Sequence, residues 1–176
     1  MDAPLMSEYS DGVVTLGLFA PSDAPVLLEG DGDSEHRRRF EFPDGFVPSL
    51  QHSQAVIRRW EGERAAGRRF AFAVRSATNG DLLGGCELRP LGNRTANLSY
   101  WTYPRHRRRG VASRTVMLAC EVASSEFDFH IVHVLADPDN IVSRHVAVRN
   151  GFKEVGEQDG RILYVLELHS SRASSP

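Results

Sequence analysis

The stretch Tyr103–Cys120, YPRHRRRGVASRTVMLAC, gathers residues able to do chemistry at a point where the chain changes character. Five of the six residues from Arg105 to Gly110 are Arg or Gly, and an apolar segment with helical spacing follows at once. The pattern reads as a strand ending near Pro104, a basic turn, and a helix opened by Gly110. The first turn of a helix has backbone N–H groups without intrahelical partners, together with the positive end of the helix dipole, so it attracts phosphate. Small residues at Gly110 and Ala112 let a phosphate come close to that backbone. The arginines add charge and bidentate donors. Such a loop can hold a pyrophosphate. It can equally be a solvated basic loop that begins an ordinary helix, and the segment alone leaves both readings open.

Composition narrows the field. A chain of 176 residues with net charge −2 has no global basic field to draw nucleic acid. Its length suits one domain that buries roughly two-thirds of its unfolded surface. The basic residues are almost all arginine, Lys153 being the only lysine. Cys86 and Cys120 lie far apart in apolar settings, which fits buried free thiols in a reducing cytoplasm. MDAPLMSEYS lacks the basic start and apolar core of a signal peptide, and no apolar run approaches the ~18 residues of a membrane span. The expectation is a cytoplasmic protein with neither nucleic-acid nor membrane partners. GxxxxGK[ST], GxGxxG after the first strand, HExxH, CxxC and GxSxG are all absent. His130 and His133, at odd spacing on an expected strand, fall on opposite faces and do not suit a shared metal.

The elements that must position the basic turn follow from periodicity. A strand is expected over 11–20, a short helix from Ser22 to Gly30, and a charged, aromatic loop before Pro48 whose HRRR run, His36 to Arg39, lies outside any motif and is expected to face solvent. The next segment, SLQHSQAVIRRWEGERAAG, has an amphipathic helical pattern that stops at Gly67. RFAFAVRS, DLLGGCELRP and NLSYWTYP, separated by turn signals, read as an antiparallel meander. A helix over 110–126 carries Val111, Thr115, Leu118, Ala119 and Val122 on one face. HIVHVLA is then a strand, 140–150 a helix closed by Asn150-Gly151, and a hairpin around EQDG ends the domain. This order gives an α+β sheet with helices on its faces. One domain is expected over 1–168, with a flexible tail from 169 to 176.

With those elements in place, two motifs resemble the GNAT acetyltransferase superfamily. Arg107-Arg108-Arg109-Gly110-Val111-Ala112 fits its R/Q-x-x-G-x-G/A pattern. The preceding SYWTYP is similar to the GYW strand of the branch typified by ribosomal-protein N-terminal acetyltransferases (RimJ/RimL-like), with Leu98-Ser99 where Ile-Gly is commoner. About 30 residues on, NIVSRHVAVRNGF (140–152) resembles that branch's N-x-x-S-x-x-V-x-x-K/R-x-G-F motif at every fixed position. The resemblance covers roughly Phe70 to Leu168. It implies a mixed, mostly antiparallel sheet of six to seven strands with about four helices, in which a splayed parallel strand pair binds acetyl-CoA as co-substrate.

Carried onto this sequence, the resemblance implies that Trp101, Thr102 and Tyr103 line the splay. Arg107, Arg108, Arg109, Gly110, Val111, Ala112 and Ser113 would then bind the pyrophosphate. Asn140 would hydrogen-bond the pantetheine arm, a position that equally suits a helix cap, and Ser143 would lie near the thioester sulfur as the candidate acid. Glu87 is the candidate base, with water-mediated deprotonation assisted by Glu41 or Asp137 as the alternative. The implied reaction is direct acetyl transfer to an amine. The preferred acceptor is a small-molecule amine, including an aminoglycoside-type amino sugar as in antibiotic modification, held by the acidic residues of 29–44, Glu41 among them, and by Asp137. The alternatives are a peptide N-terminus and a non-catalytic acyl-CoA-binding regulatory domain. Dimers are common in this branch, so a homodimer is a further expectation.

Overall fold

The computed structural model describes residues 9–169. Strands β1 (Tyr9–Ser10) and β2 (Val14–Gly17) form a hairpin, tied by the Asp11 carboxylate, which accepts from the N–H groups of Val13 and Val14 at 2.9 Å each. The single strand expected over 11–20 is thus broken at its start, where Gly12 turns at φ 85°. A 3-10 turn (Pro21–Asp23) leads into α1 (Ala24–Asp31), α2 (Ser34–Arg39) and α3 (Leu50–Ala65). The expected loop therefore contains a helix. SEHRRR has no apolar stripe to announce it; its start is fixed by Asp33, whose carboxylate accepts from His36 N at 2.9 Å.

The meander follows as β3 (Phe70–Ser76), β4 (Leu82–Gly92) and β5 (Thr95–Thr102). Then come α4 (Val111–Ser125), β6 (Ile131–Ala136), α5 (Ile141–Arg149), β7 (Lys153–Gln158) and β8 (Arg161–Glu167). The strands form one eight-stranded sheet in the order β1-β2-β3-β4-β5-β6-β8-β7. Every neighbouring pair is antiparallel except β5–β6. The two-residue β1 and the unheralded α2 account for the excess over the expected element count.

Side-chain alternation along the strands separates two cores. On one face, Leu16, Phe72, Leu88, Leu98, Val132 and Tyr164 pack with Val116, Leu118 and Val122 of α4. Each such apolar side chain, fully buried, contributes about 1.5–3 kcal/mol. On the other face, Ala73, Leu82, Trp101 and Tyr103 meet Ala24 and Leu27 of α1 and Ile57 of α3. Cys86 and Cys120 are free and buried. Burial pushes the Cys120 thiol up to about 12 and the Cys86 thiol further still, so both are inert packing groups.

Candidate active site

β5 and β6 run side by side only where Thr95–Asn97 face Ile131–His133. Past Asn97, β5 stays with β4 as far as Thr102, while β6 follows β8 as far as Ala136. A gap opens between the two parallel strands. Tyr103 N donates to Leu83 O at 2.9 Å, toward β4. Strand alternation then turns the backbone N–H and C=O of Tyr100 and Thr102 toward the gap. Thr102 O accepts from Arg107 Nε at 3.2 Å, and Thr102 Oγ1 is sealed from solvent without a partner.

The basic turn crosses from β5 to α4 at the head of this gap. Arg108 at φ 61° and Gly110 at φ 73° bend the chain, and no side chain caps α4. The first bond of its opening turn is Arg114 N to Gly110 O at 3.2 Å. The N–H groups of residues 108–113 consequently have no acceptor among the described residues. Arg108 and Arg109 are exposed, whereas Arg107 is held by Asp33 at 2.6 Å and Arg105 by Glu29 at 2.8 Å. Asp33 gains more from Arg107 and the His36 N–H than it loses by burial, and its carboxyl sits below the usual range. Ser113 Oγ accepts from Asn150 Nδ2 at 3.1 Å, fixing the start of α4 against the end of α5.

Asn140 is the cap of α5, its Oδ1 accepting from Ser143 N at 3.1 Å, while its Nδ2 has no partner among the described residues. Ser143 Oγ lies 2.8 Å from Tyr100 Oη, and the same phenol donates to Ser143 O at 3.2 Å. This link spans the gap from β5 to α5. Burial pushes the Tyr100 phenol up to about 12, so it keeps its proton. Tyr100 is a site residue that the sequence reading passed over. The signal was its place two residues before Thr102, on the same side of β5.

The side chains of Trp101 and Tyr103 turn away from the α4 side, into the second core. A Cβ at Gly85 would strike the Trp101 ring and meet the Phe19 ring at 2.9 Å, and one at Gly30 would strike Tyr103. Both glycines are seats for aromatic rings. Their backbone groups turn toward β4 or into the following turn, so of the three residues expected to line the gap Thr102 alone faces it.

The expected acid–base and acceptor-binding residues sit differently. Glu87 is 5% exposed, and its oxygens are engaged by Arg69 at 3.3 Å and Arg89 at 2.7 Å. Glu41 pairs with Arg161 at 3.0 Å. Asp137 lies between Arg39 at 2.8 Å and Arg161 at 3.0 Å, and Asp139 takes Arg38 and Arg39. Burial raises the Asp137 carboxyl, but its two arginines outweigh that and hold it below the usual range. This network fastens α2 to the β6–α5 loop. The HRRR run, expected to face solvent, does so only in part: Arg38 is open, while the side chains of His36 and Arg39 are 10% and 14% exposed.

The family model of the acetyltransferase (GNAT) domain matches residues 14–153. No curated protein matches. Among solved structures, RimJ from Mycobacterium smegmatis in complex with CoA-disulfide has TM-score 0.79 at 21% identity, over 93% of this chain and 86% of its own. Ribosomal-protein-S5-alanine acetyltransferase from Vibrio fischeri has TM-score 0.78 at 14% identity, over 96% and 100%. Spermidine N-acetyltransferase from Vibrio cholerae, in complex with CoA and spermine, has TM-score 0.74 at 15% identity, over 91% and 98%. At these identities the structures share the fold, and the family match extends over most of the chain; together with the splayed strands and the uncapped phosphate-loop helix, they establish that this chain belongs to the GNAT acetyltransferase family.

Proposed function

We propose that this N-acetyltransferase moves the acetyl group of acetyl-CoA directly to a primary amine, with the pyrophosphate on the first turn of α4 and the pantetheine arm in the β5–β6 gap. The observation that carries the reading is the run of unpaired N–H groups over 108–113, set at the head of a strand pair that parts after Asn97. Those donors offer a dianion several hydrogen bonds and the helix dipole at once. Arg108 and Arg109 add charge. Asn140 Nδ2 and the backbone of Tyr100 and Thr102 supply the polar partners an extended amide chain needs.

In this arrangement the Tyr100 N–H faces the thioester oxygen, where negative charge develops as the amine attacks. Ser143 Oγ–H donates to the departing sulfur, and Tyr100 Oη, a phenol that keeps its proton, turns that proton from Ser143 O to Ser143 Oγ. A thiolate does not fully deprotonate a phenol whose pKa burial has pushed up to about 12. The pair therefore stabilises the thiolate by hydrogen bonding rather than by complete transfer.

The acceptor we favour carries a single ammonium on an otherwise neutral or extended body, such as a peptide N-terminus. Of the acidic residues expected to hold a polycationic acceptor, Glu29, Asp33, Glu35, Glu41 and Asp137 are each already paired with arginine, and Asp31 faces His36. The test is thiol release from acetyl-CoA across short peptides, amino acids, polyamines and aminoglycosides. Release with peptides alone supports the reading. Release with aminoglycosides or polyamines restores a cation-holding role to the acidic residues, and release with none overturns catalysis by this chain.

A further inference from the structure

We propose that His36 is the base that takes the proton of the acceptor ammonium, with Asp31 as the group that orients and charge-balances it. This rests on the acetyltransferase reading above. His36 projects from α2 into the aromatic cluster on the face of β5 opposite α4. Its ring centroid is 6.3 Å from that of Trp101, 6.4 Å from Tyr103 and 4.8 Å from Phe40. Asp33, just before α2, holds Arg107 beyond the end of β5, and Arg39 of α2 holds Asp137 beyond the end of β6, so α2 crosses the mouth of the gap on the side away from α4 and carries the imidazole there.

Among the candidate bases, the His36–Asp31 pair is the one left uncommitted. Glu87, Asp137, Asp139 and Glu41 all have guanidinium partners. Asp31 has none at ion-pair distance among the described residues, although the Arg37 charge favours its ionised form: its ion pair is with His36, Nε2 to Oδ1 at 3.7 Å, and the two side chains are 12% and 10% exposed. Nε2 faces the carboxylate, which leaves the Nδ1 lone pair to accept. The groups around the imidazole are Asp31 of α1, Asp33 before α2, Arg107 of the phosphate loop and the Tyr103 phenol just past β5. Burial lowers His36 to about 4, so the ring is neutral at pH 7 and, as a weak base, holds the ammonium proton only transiently while the nitrogen attacks. The Trp101, Tyr103 and Phe40 rings offer an arriving ammonium cation–π contact while it still carries its charge.

The protons balance as follows. The ammonium gives one proton to Nδ1, becoming a neutral amine and an imidazolium countered by Asp31. The amine nitrogen bonds to the thioester carbon, the C–S bond breaks, and CoA leaves with the electron pair as thiolate. The nitrogen loses its second proton to water or to the thiolate, and the imidazolium returns its own to solvent before the next turnover.

The experiment measures thiol release against pH for wild type, His36→Gln and Asp31→Asn, using the peptide or other panel amine that wild type acetylates best. His36→Gln is expected to lose about 10²-fold in kcat at pH 7 with the KM for acetyl-CoA unchanged, and the loss is expected to close as the pH approaches the amine's own pKa. Asp31→Asn is expected to melt higher at pH 7 yet turn over more slowly, a combination that a purely structural role does not produce. Variants that bind acetyl-CoA normally and keep wild-type rates from pH 6 to 10 overturn this proposal alone. A loss in His36→Gln that is the same at every pH also overturns it, since a base is not needed once the amine is free. A wild type that acetylates no amine overturns the parent reading and this one with it.

Discussion

The His36–Asp31 pair makes a stability prediction that needs no substrate. Burial raises Asp31 from 3.8 to about 6 and lowers His36 from 6.5 to about 4. A carboxyl raised in the folded state contributes stability that is fully present below 3.8 and lost as pH rises through 6. An imidazole lowered in the folded state contributes stability that is present above 6.5 and lost as pH falls through 4. At 1.36 kcal/mol per pH unit, each amounts to about 3 kcal/mol, and both side chains are shielded enough for little of it to be screened. Between pH 4 and 6 the two slopes oppose each other, so wild type hides both. Single variants uncover them. Relative to wild type, Asp31→Asn should gain about 3 kcal/mol as pH rises from below 4 to above 6. His36→Gln should lose about the same over that range. For a chain of this length the span corresponds to about 6–12 °C in Tm. Urea unfolding of the three proteins from pH 3.5 to 7.5 measures it, and taking differences from wild type removes every other titrating group. Two pH-independent differences, or two that move in the same direction, would refute the argument.

Other consequences follow from the same geometry. Gly110→Val puts a β-branched residue at φ 73° and turns the open first turn of α4 away from its ligand, so acetyl-CoA affinity measured by calorimetry should fall at least about 10-fold. Ser143→Ala and Tyr100→Phe should each lower kcat rather than the KM for acetyl-CoA, and the double variant should lose less than the product of the two, because the hydroxyls act in series. Gly85→Ala drives a methyl into the Trp101 and Phe19 rings and should cost about 1–3 kcal/mol in urea unfolding.

The sequence carried the meander, α4 and the two ligand motifs because each had a local signature. DLLGGCELRP and NLSYWTYP are bounded by turn residues, and the apolar face of α4 has a 3.6-residue period. The α2 segment had neither: SEHRRR is held by its Asp33 cap and by Arg38 and Arg39 reaching Asp137 and Asp139, partners about a hundred residues away. For the same reason His36 was read as solvated, although rings from β5 and from its own helix and loop surround it. Glu87 was legible as a carboxylate on a strand of the meander. Its capture by Arg69 and Arg89 was not, because Arg69 comes from the neighbouring strand's approach and cross-strand register is set by the whole sheet. The Tyr100–Ser143 link joins two motifs already noticed, yet only their juxtaposition across the gap reveals it.

The central claim is that the N–H groups at the start of α4 hold the phosphates of acetyl-CoA while β5 receives its pantetheine arm. Amide resonances of ¹⁵N-labelled protein followed during CoA addition test it most directly. The account predicts that the largest shifts fall on residues 108–113, on Tyr100 and Thr102, and on Asn140 and Ser143, with the amides of β1 and β7 still. Saturating CoA that leaves residues 108–113 unmoved, or that acts on a different face of the sheet, would contradict it.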